Sequence, residues 1–131
     1  MVSYPKLFNQ VVDEFFNELI ETYPENNFIK VRYTLFQTVS SVNVKKPAVD
    51  FMNLVITYLE QIAKKDEQFF ISENTPELIK VLQIQSIWEA GMSENTKEAI
   101  WKYIKSFITI GNFIVKMPPE TQNVINYIIH N

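Results

Sequence analysis

The sequence of 131 residues contains no cysteine, so it can form no disulfide framework, thiolate nucleophile or cysteine metal site. Glycine is nearly as scarce. With only Gly91 and Gly111 present, neither a phosphate-cradling Walker loop nor a dinucleotide fingerprint can be written. The single histidine, His130, stands next to the carboxyl end, where chains fray, and no Glu-x-x-His pair exists to complete a carboxylate metal centre in a bundle. Arg32 is the only arginine, which removes most of the usual guanine-reading chemistry. No apolar run approaches the length of a membrane span. The opening residues lead into Asp13, Glu14 and Glu18 rather than into the apolar stretch of a secretory signal. These absences together point to an intracellular protein without a membrane segment.

Catalytic constellations are missing too. There is no Gly-x-Ser-x-Gly, and the one Ser-x-x-Lys spacing, Ser3 to Lys6, fits a helix N-cap better than a nucleophile and its base. The pairs Asp13/Asn17, Glu14/Glu18 and Glu94/Glu98 place oxygens on single helix faces, but no histidine joins them. The expectation is a protein with no catalytic residue, no metal and no cofactor. An enzyme working through Glu14 and Glu18 is the third-ranked alternative.

What is present is ordinary globular material, with 47% apolar and 21% charged residues and a net charge of -3. The charge alternates along the chain. Residues 1 to 29 carry one lysine and five acids, and residues 30 to 65 carry six basic residues and two acids. Residues 66 to 98 then hold two lysines and seven acids, and residues 99 to 131 three lysines and one acid. Such alternation lets neighbouring helices face opposite charge, each exposed pair being worth less than about 1 kcal/mol.

The apolar residues recur every three or four positions, which predicts an all-α, single-domain bundle of about five to six helices over residues 1–131. Ser3 caps a first helix with Pro5 in its opening turn and an apolar stripe of Leu7, Phe8, Val11, Val12, Phe15, Phe16, Leu19 and Ile20; Pro24 ends it. Asn26 or Asn27 caps a second, with Phe28, Val31, Leu35, Val39 and Val42 as its stripe and Phe36 alongside. A third runs from Pro47 through Val49, Met52, Val55, Ile56, Leu59 and Ile62, is apolar on more than one side, and is expected at the centre of the bundle. Thr75-Pro76 opens a fourth that stops at Gly91, and Ser93 caps a fifth, which Gly111 either ends or interrupts. Pro119-Glu120 opens a short last helix.

Two features stand out as binding candidates. Phe69-Phe70-Ile71, with Trp88 further on, is an aromatic cluster in a connection; exposed, it would anchor a protein partner or a second copy, and turned inward it would cap the core. Lys97, Lys102 and Lys105, interleaved with Trp101 and Tyr103, form a basic helix face, with Lys97 and Lys105 nearest to one side and Lys102 well off it. Lys45 and Lys46 would supplement that face. The competing reading of these lysines is a solvated helix surface.

The stretches Lys64 to Phe70 and Ile87 to Lys97, followed by Ile100-Trp101-Lys102-Tyr103-Ile104, resemble small uncharacterised helical proteins encoded by nucleocytoplasmic large DNA viruses of protists. The similarity covers the second half of the chain better than the first, and its segments carry no known chemistry. It implies a protein made in infected host cells, with a place in the virion as a further option. The reading that results is a non-enzymatic interaction or structural protein acting through protein–protein contacts. The alternative is a DNA-binding or transcription-associated viral factor using the basic helix face.

Overall fold

The computed structural model describes residues 2–66 and 92–131. Among them every regular element is helical. These are α1 (Tyr4–Thr22), α2 (Asn27–Val42), α3 (Lys46–Val55), a 3-10 turn (Ile56–Tyr58), α4 (Leu59–Ala63), α5 (Glu94–Gly111) and α6 (Pro119–His130). The aromatic cluster Phe69, Phe70, Ile71, the expected fourth helix and Trp88 lie outside the described residues.

Local chemistry sets the boundaries. The Ser3 hydroxyl accepts the Lys6 amide, Asn26 Oδ1 accepts the Ile29 amide at 3.2 Å, and Ser93 Oγ accepts the Thr96 amide at 3.2 Å. Each satisfies an amide that a helix start leaves without a carbonyl. Glu94 adds a carboxylate at the positive end of the α5 dipole. The α3 start has no side-chain cap of its own; Asn43 Oδ1 instead holds the Lys45 amide, and Pro47 supplies preset φ.

The long third helix expected from Pro47 to Ile62 is interrupted. Val55, Ile56 and Thr57 are β-branched, and three in succession crowd χ1 against the preceding turn. The backbone tightens into the 3-10 turn there, and Tyr58 leaves helical geometry at φ -119° and ψ 15° before α4 resumes.

One apolar cluster holds these helices together. α1 packs along α5, and α3 touches α1, α2 and α5. At the α1–α5 seam, Phe15 meets Phe107 edge-on at 5.5 Å and 89°, and Phe8 meets Phe107 at 5.7 Å. Phe51 of α3 also reaches Phe107, at 5.6 Å and 81°. Edge-to-face geometry sets the positive rim of one ring against the negative face of another, adding about 0.5–1.5 kcal/mol per pair beyond burial.

Gly111 closes α5 rather than interrupting it, and its hydrogen faces Met52. A Cβ there would stand 2.6 Å from Met52 Sδ, so the close approach of α3 to α5 depends on the missing side chain. The chain then turns through Asn112 to Pro118, where Phe113 stacks on Tyr4 at 4.7 Å and 8°, tying the α5–α6 connection to the start of α1.

The second helix departs from expectation. Its expected stripe faces largely outward, with Phe28 68%, Val31 57%, Leu35 50% and Val42 84% exposed. The residues that meet the core are Ile29, Tyr33 and Phe36, an i, i+4, i+7 line next to the expected one. Two apolar lines compete on this helix, and α1 supplies partners for only one. Phe16 packs against both Tyr33 and Phe36, and the Tyr33 hydroxyl donates to the Asp13 carboxylate.

Candidate functional site

Because α2 leans on α1 through Ile29, Tyr33 and Phe36, its other side stands off from α3 and leaves a groove of about 500 Å³. Leu35 and Val39 of α2 form one wall, and Pro47 and Leu54 of α3 the other. Phe8, Val12 and Phe16 of α1, with Phe107 of α5, reach it from the core. The exposed Val31 and Phe28 continue the α2 surface beyond it. Apolar side chains grouped along a groove, rather than scattered singly over the surface, are the pattern that a binding surface takes.

Three polar residues edge the groove: Arg32, Asp50 and Asn53. Asp50 is engaged by Lys46 at 3.1 Å, with both side chains about half exposed, an i, i+4 pair worth a few tenths of a kcal/mol (~0.3). Arg32 is half-buried and, among the described residues, takes part in no ion pair or side-chain hydrogen bond. α2 carries Lys30 and Arg32 and no acid at all. The open side of this helix is therefore apolar with a positive rim.

A second concavity of about 430 Å³ lies where α4, α5 and α6 meet. Lys64 and Lys65 follow α4, Glu98, Trp101, Lys102 and Lys105 come from α5, and Tyr127, Ile128 and Asn131 from the end of α6. Lys65 reaches Glu98 at 3.8 Å, both about half exposed.

The lysines singled out from the sequence are thus redistributed. Lys102 and Lys105 share the second concavity, although helical spacing alone favoured Lys97 with Lys105. Lys97 turns instead toward Glu94, 3.5 Å away, and is only 19% exposed in its side chain, so it is not part of a free basic stripe. Lys45 and Lys46 stand at the start of α3, and Lys46 is held by Asp50.

The carboxylates of α1 also have structural partners. Asn17 Nδ2 donates to Asp13 at 3.0 Å while Tyr33 donates to the same carboxylate, and Tyr33 is raised above the ordinary tyrosine pKa chiefly by that bond. Burial, followed by a hydrogen bond to Glu18, pushes Tyr103 up to about 12. Both tyrosines stay protonated at neutral pH, and the Tyr33 hydroxyl ties α2 to α1 through Asp13. Among the described residues no group of three His, Asp or Glu is placed to hold a metal ion, and no helix is long and apolar enough to cross a membrane.

Sequence reasoning passed over Arg32, Leu35 and Leu54 as site residues, and over Lys64, Lys65 and Tyr127. The signals were present: one arginine set in an acid-free apolar helix, and a lysine pair following a helix end. No protein-family model, curated protein or solved structure matches the chain.

Proposed function

We propose that this chain is a non-catalytic helical interaction protein whose α2–α3 groove receives the apolar face of an amphipathic helix from an acidic protein partner. One observation carries the reading: an open apolar groove with an unpartnered guanidinium at its edge. A helix laid in such a groove offers apolar anchors at i, i+3 or i+4 and i+7, and Leu35, Val39 and Leu54 line the space that takes them. Charge selects the partner's rim. A carboxylate beside the anchors would pair with Arg32 in the planar two-point geometry that guanidinium favours. A second copy presenting its own α2 would set Lys30 and Arg32 against their equals, which disfavours self-pairing through this face.

The setting we propose, a cell infected by a large DNA virus of protists, rests on the resemblance of residues 64–70, 87–97 and 100–104. It bears on where the partner is found and leaves the groove's chemistry unchanged.

Selection from a displayed library of random helical peptides tests the groove. Enriched peptides are expected to carry apolar residues at helical spacing flanked by Glu or Asp, to lose binding to the Leu54→Glu protein, and to weaken on Arg32→Gln. Enrichment of basic peptides, or binding indifferent to Leu54→Glu, would refute this assignment. Light scattering on the purified protein checks the self-association alternative, with a monomer expected.

A further inference from the structure

The concavity between α4, α5 and α6 shares no lining residue with the α2–α3 groove, and its chemistry is of another kind. Four lysines, Lys64, Lys65, Lys102 and Lys105, line it beside one acidic side chain, Glu98, which Lys65 approaches at 3.8 Å. This local positive excess occurs on a chain whose net charge is -3. Two helix C-termini, those of α4 and α6, border the same space and contribute partial negative charge, which accounts for a lysine or two there as dipole partners. It does not account for Lys102 and Lys105, which project from within α5.

Lys65 is the more telling residue. Its φ is 51°, the left-handed region that favours glycine, and it is the only non-glycine with positive φ among the described residues. The Asp66 amide bonds back to the Gln61 carbonyl and the Lys65 amide to Ile62, the paired bonds of a left-handed helix stop, where glycine is the residue of least strain. A lysine is thus held against its conformational preference at a position that lines the concavity.

The aromatic residues complete the site. Tyr127 is 55% exposed on α6 and offers an open ring, while Trp101, only 7% exposed, forms part of the floor. A positively charged trough with an accessible aromatic face suits a ligand that combines phosphates with a flat ring. A volume of about 430 Å³ is in the range of small-ligand sites. We infer that this concavity binds the nucleobase-and-phosphate unit of a single-stranded nucleic acid or a free nucleotide, with a base stacked on Tyr127 and phosphates met by Lys64, Lys65, Lys102 and Lys105.

Fluorescence anisotropy of the full chain with labelled oligothymidylate, across a salt series, tests this. Binding is expected to weaken with salt, and Lys102→Gln and Lys105→Gln are each expected to lower the log–log slope by about 0.7, the value for one phosphate contact on a single strand. Tyr127→Ala is expected to weaken binding by roughly 5- to 100-fold, the loss of one stacked base. Lys65→Gly separates ligand binding from folding: thermal stability rises while affinity falls. Competition by ATP with the same dependence on variants assigns the site to free nucleotide; its absence assigns it to the strand. No binding at low salt overturns the inference. So does equal binding of polyglutamate together with indifference to Tyr127→Ala, which would reduce the site to a patch of cations.

Discussion

α1 and α2 are neighbours of similar length, each opened by a side-chain cap and each carrying apolar residues at helical spacing, yet they end in different environments. α1 buries Phe8, Val12, Phe15, Phe16 and Leu19, whereas α2 buries Ile29 alone and leaves Phe28, Val31, Leu35 and Val42 exposed. Their apolar content does not separate them. What does is the number of surfaces each can meet: α1 lies among α2, α3 and α5, while α2 leans on α1 and α3 by its edge. A helix with two apolar lines and cover for one keeps the other available, and that remainder is what gives the α2–α3 groove its wall.

The most severe way to break the contrast is to empty the buried side. Phe15 is fully buried against Phe107, Phe16 and Tyr103, so Phe15→Ala should cost about 3–5 kcal/mol, read as a lowered urea midpoint. Leu35→Lys, the matching change on α2, should move stability by no more than about 0.5 kcal/mol while abolishing capture of acidic helical peptides. A Leu35→Lys protein as unstable as Phe15→Ala would show that the α2 face is covered after all.

Gly111→Ala probes the packing beneath both helices. Overpacking against Met52 costs about 1–3 kcal/mol and better helix propensity returns about 1 kcal/mol, so a net loss of about 1–2 kcal/mol is expected. A double-mutant cycle with Met52→Val should reveal a coupling that relieves part of it, because the two positions touch.

The caps offer a smaller and more symmetrical test. Ser3→Ala and Asn26→Ala should each cost about 1 kcal/mol, since both remove an acceptor from an otherwise unpaired amide. Similar losses at the two sites would confirm that α1 and α2 start equally well and differ only in what covers them.

The least disruptive probe is titration of tyrosinate absorbance. Tyr103 should ionise near 12 in the folded protein, and Tyr103→Phe should remove that late component. The sign follows from the proton held longer in the fold. The contribution of Tyr103 to stability is complete below about pH 10, the unfolded tyrosine value, and is lost as pH rises toward 12. A native titration identical to that in urea would mean that the Tyr103 ring is not held away from water against α1.

Much of this molecule was legible from residue order. Ser3, Asn26 and Ser93 cap helices where their side chains stand beside free amides, Pro24 falls just beyond the end of α1, and Pro119 opens α6, because these effects act within one turn of backbone. The split of the third helix at Val55, Ile56 and Thr57 was legible in principle, since χ1 crowding is local, but the continuous apolar spacing concealed it. The sites were less so. Helical spacing groups Lys97 with Lys105 and puts Lys102 off their side, whereas Lys97 is turned to Glu94 and Lys102 lines the concavity with Lys105.

Residue order by itself determined an all-helical chain, its starts and stops, and the exclusion of thiol, Walker-type and dinucleotide chemistry, because each depends on identity or on neighbours a few bonds away. Tertiary structure decided which of the two lines on α2 was covered, that Arg32 stayed unpaired among the described residues, and that Lys64, Lys65, Lys102 and Lys105 line one concavity with Tyr127. Those outcomes turn on competition for a limited buried surface among helices far apart in sequence, and periodicity measures how greasy a face is without measuring what is there to cover it.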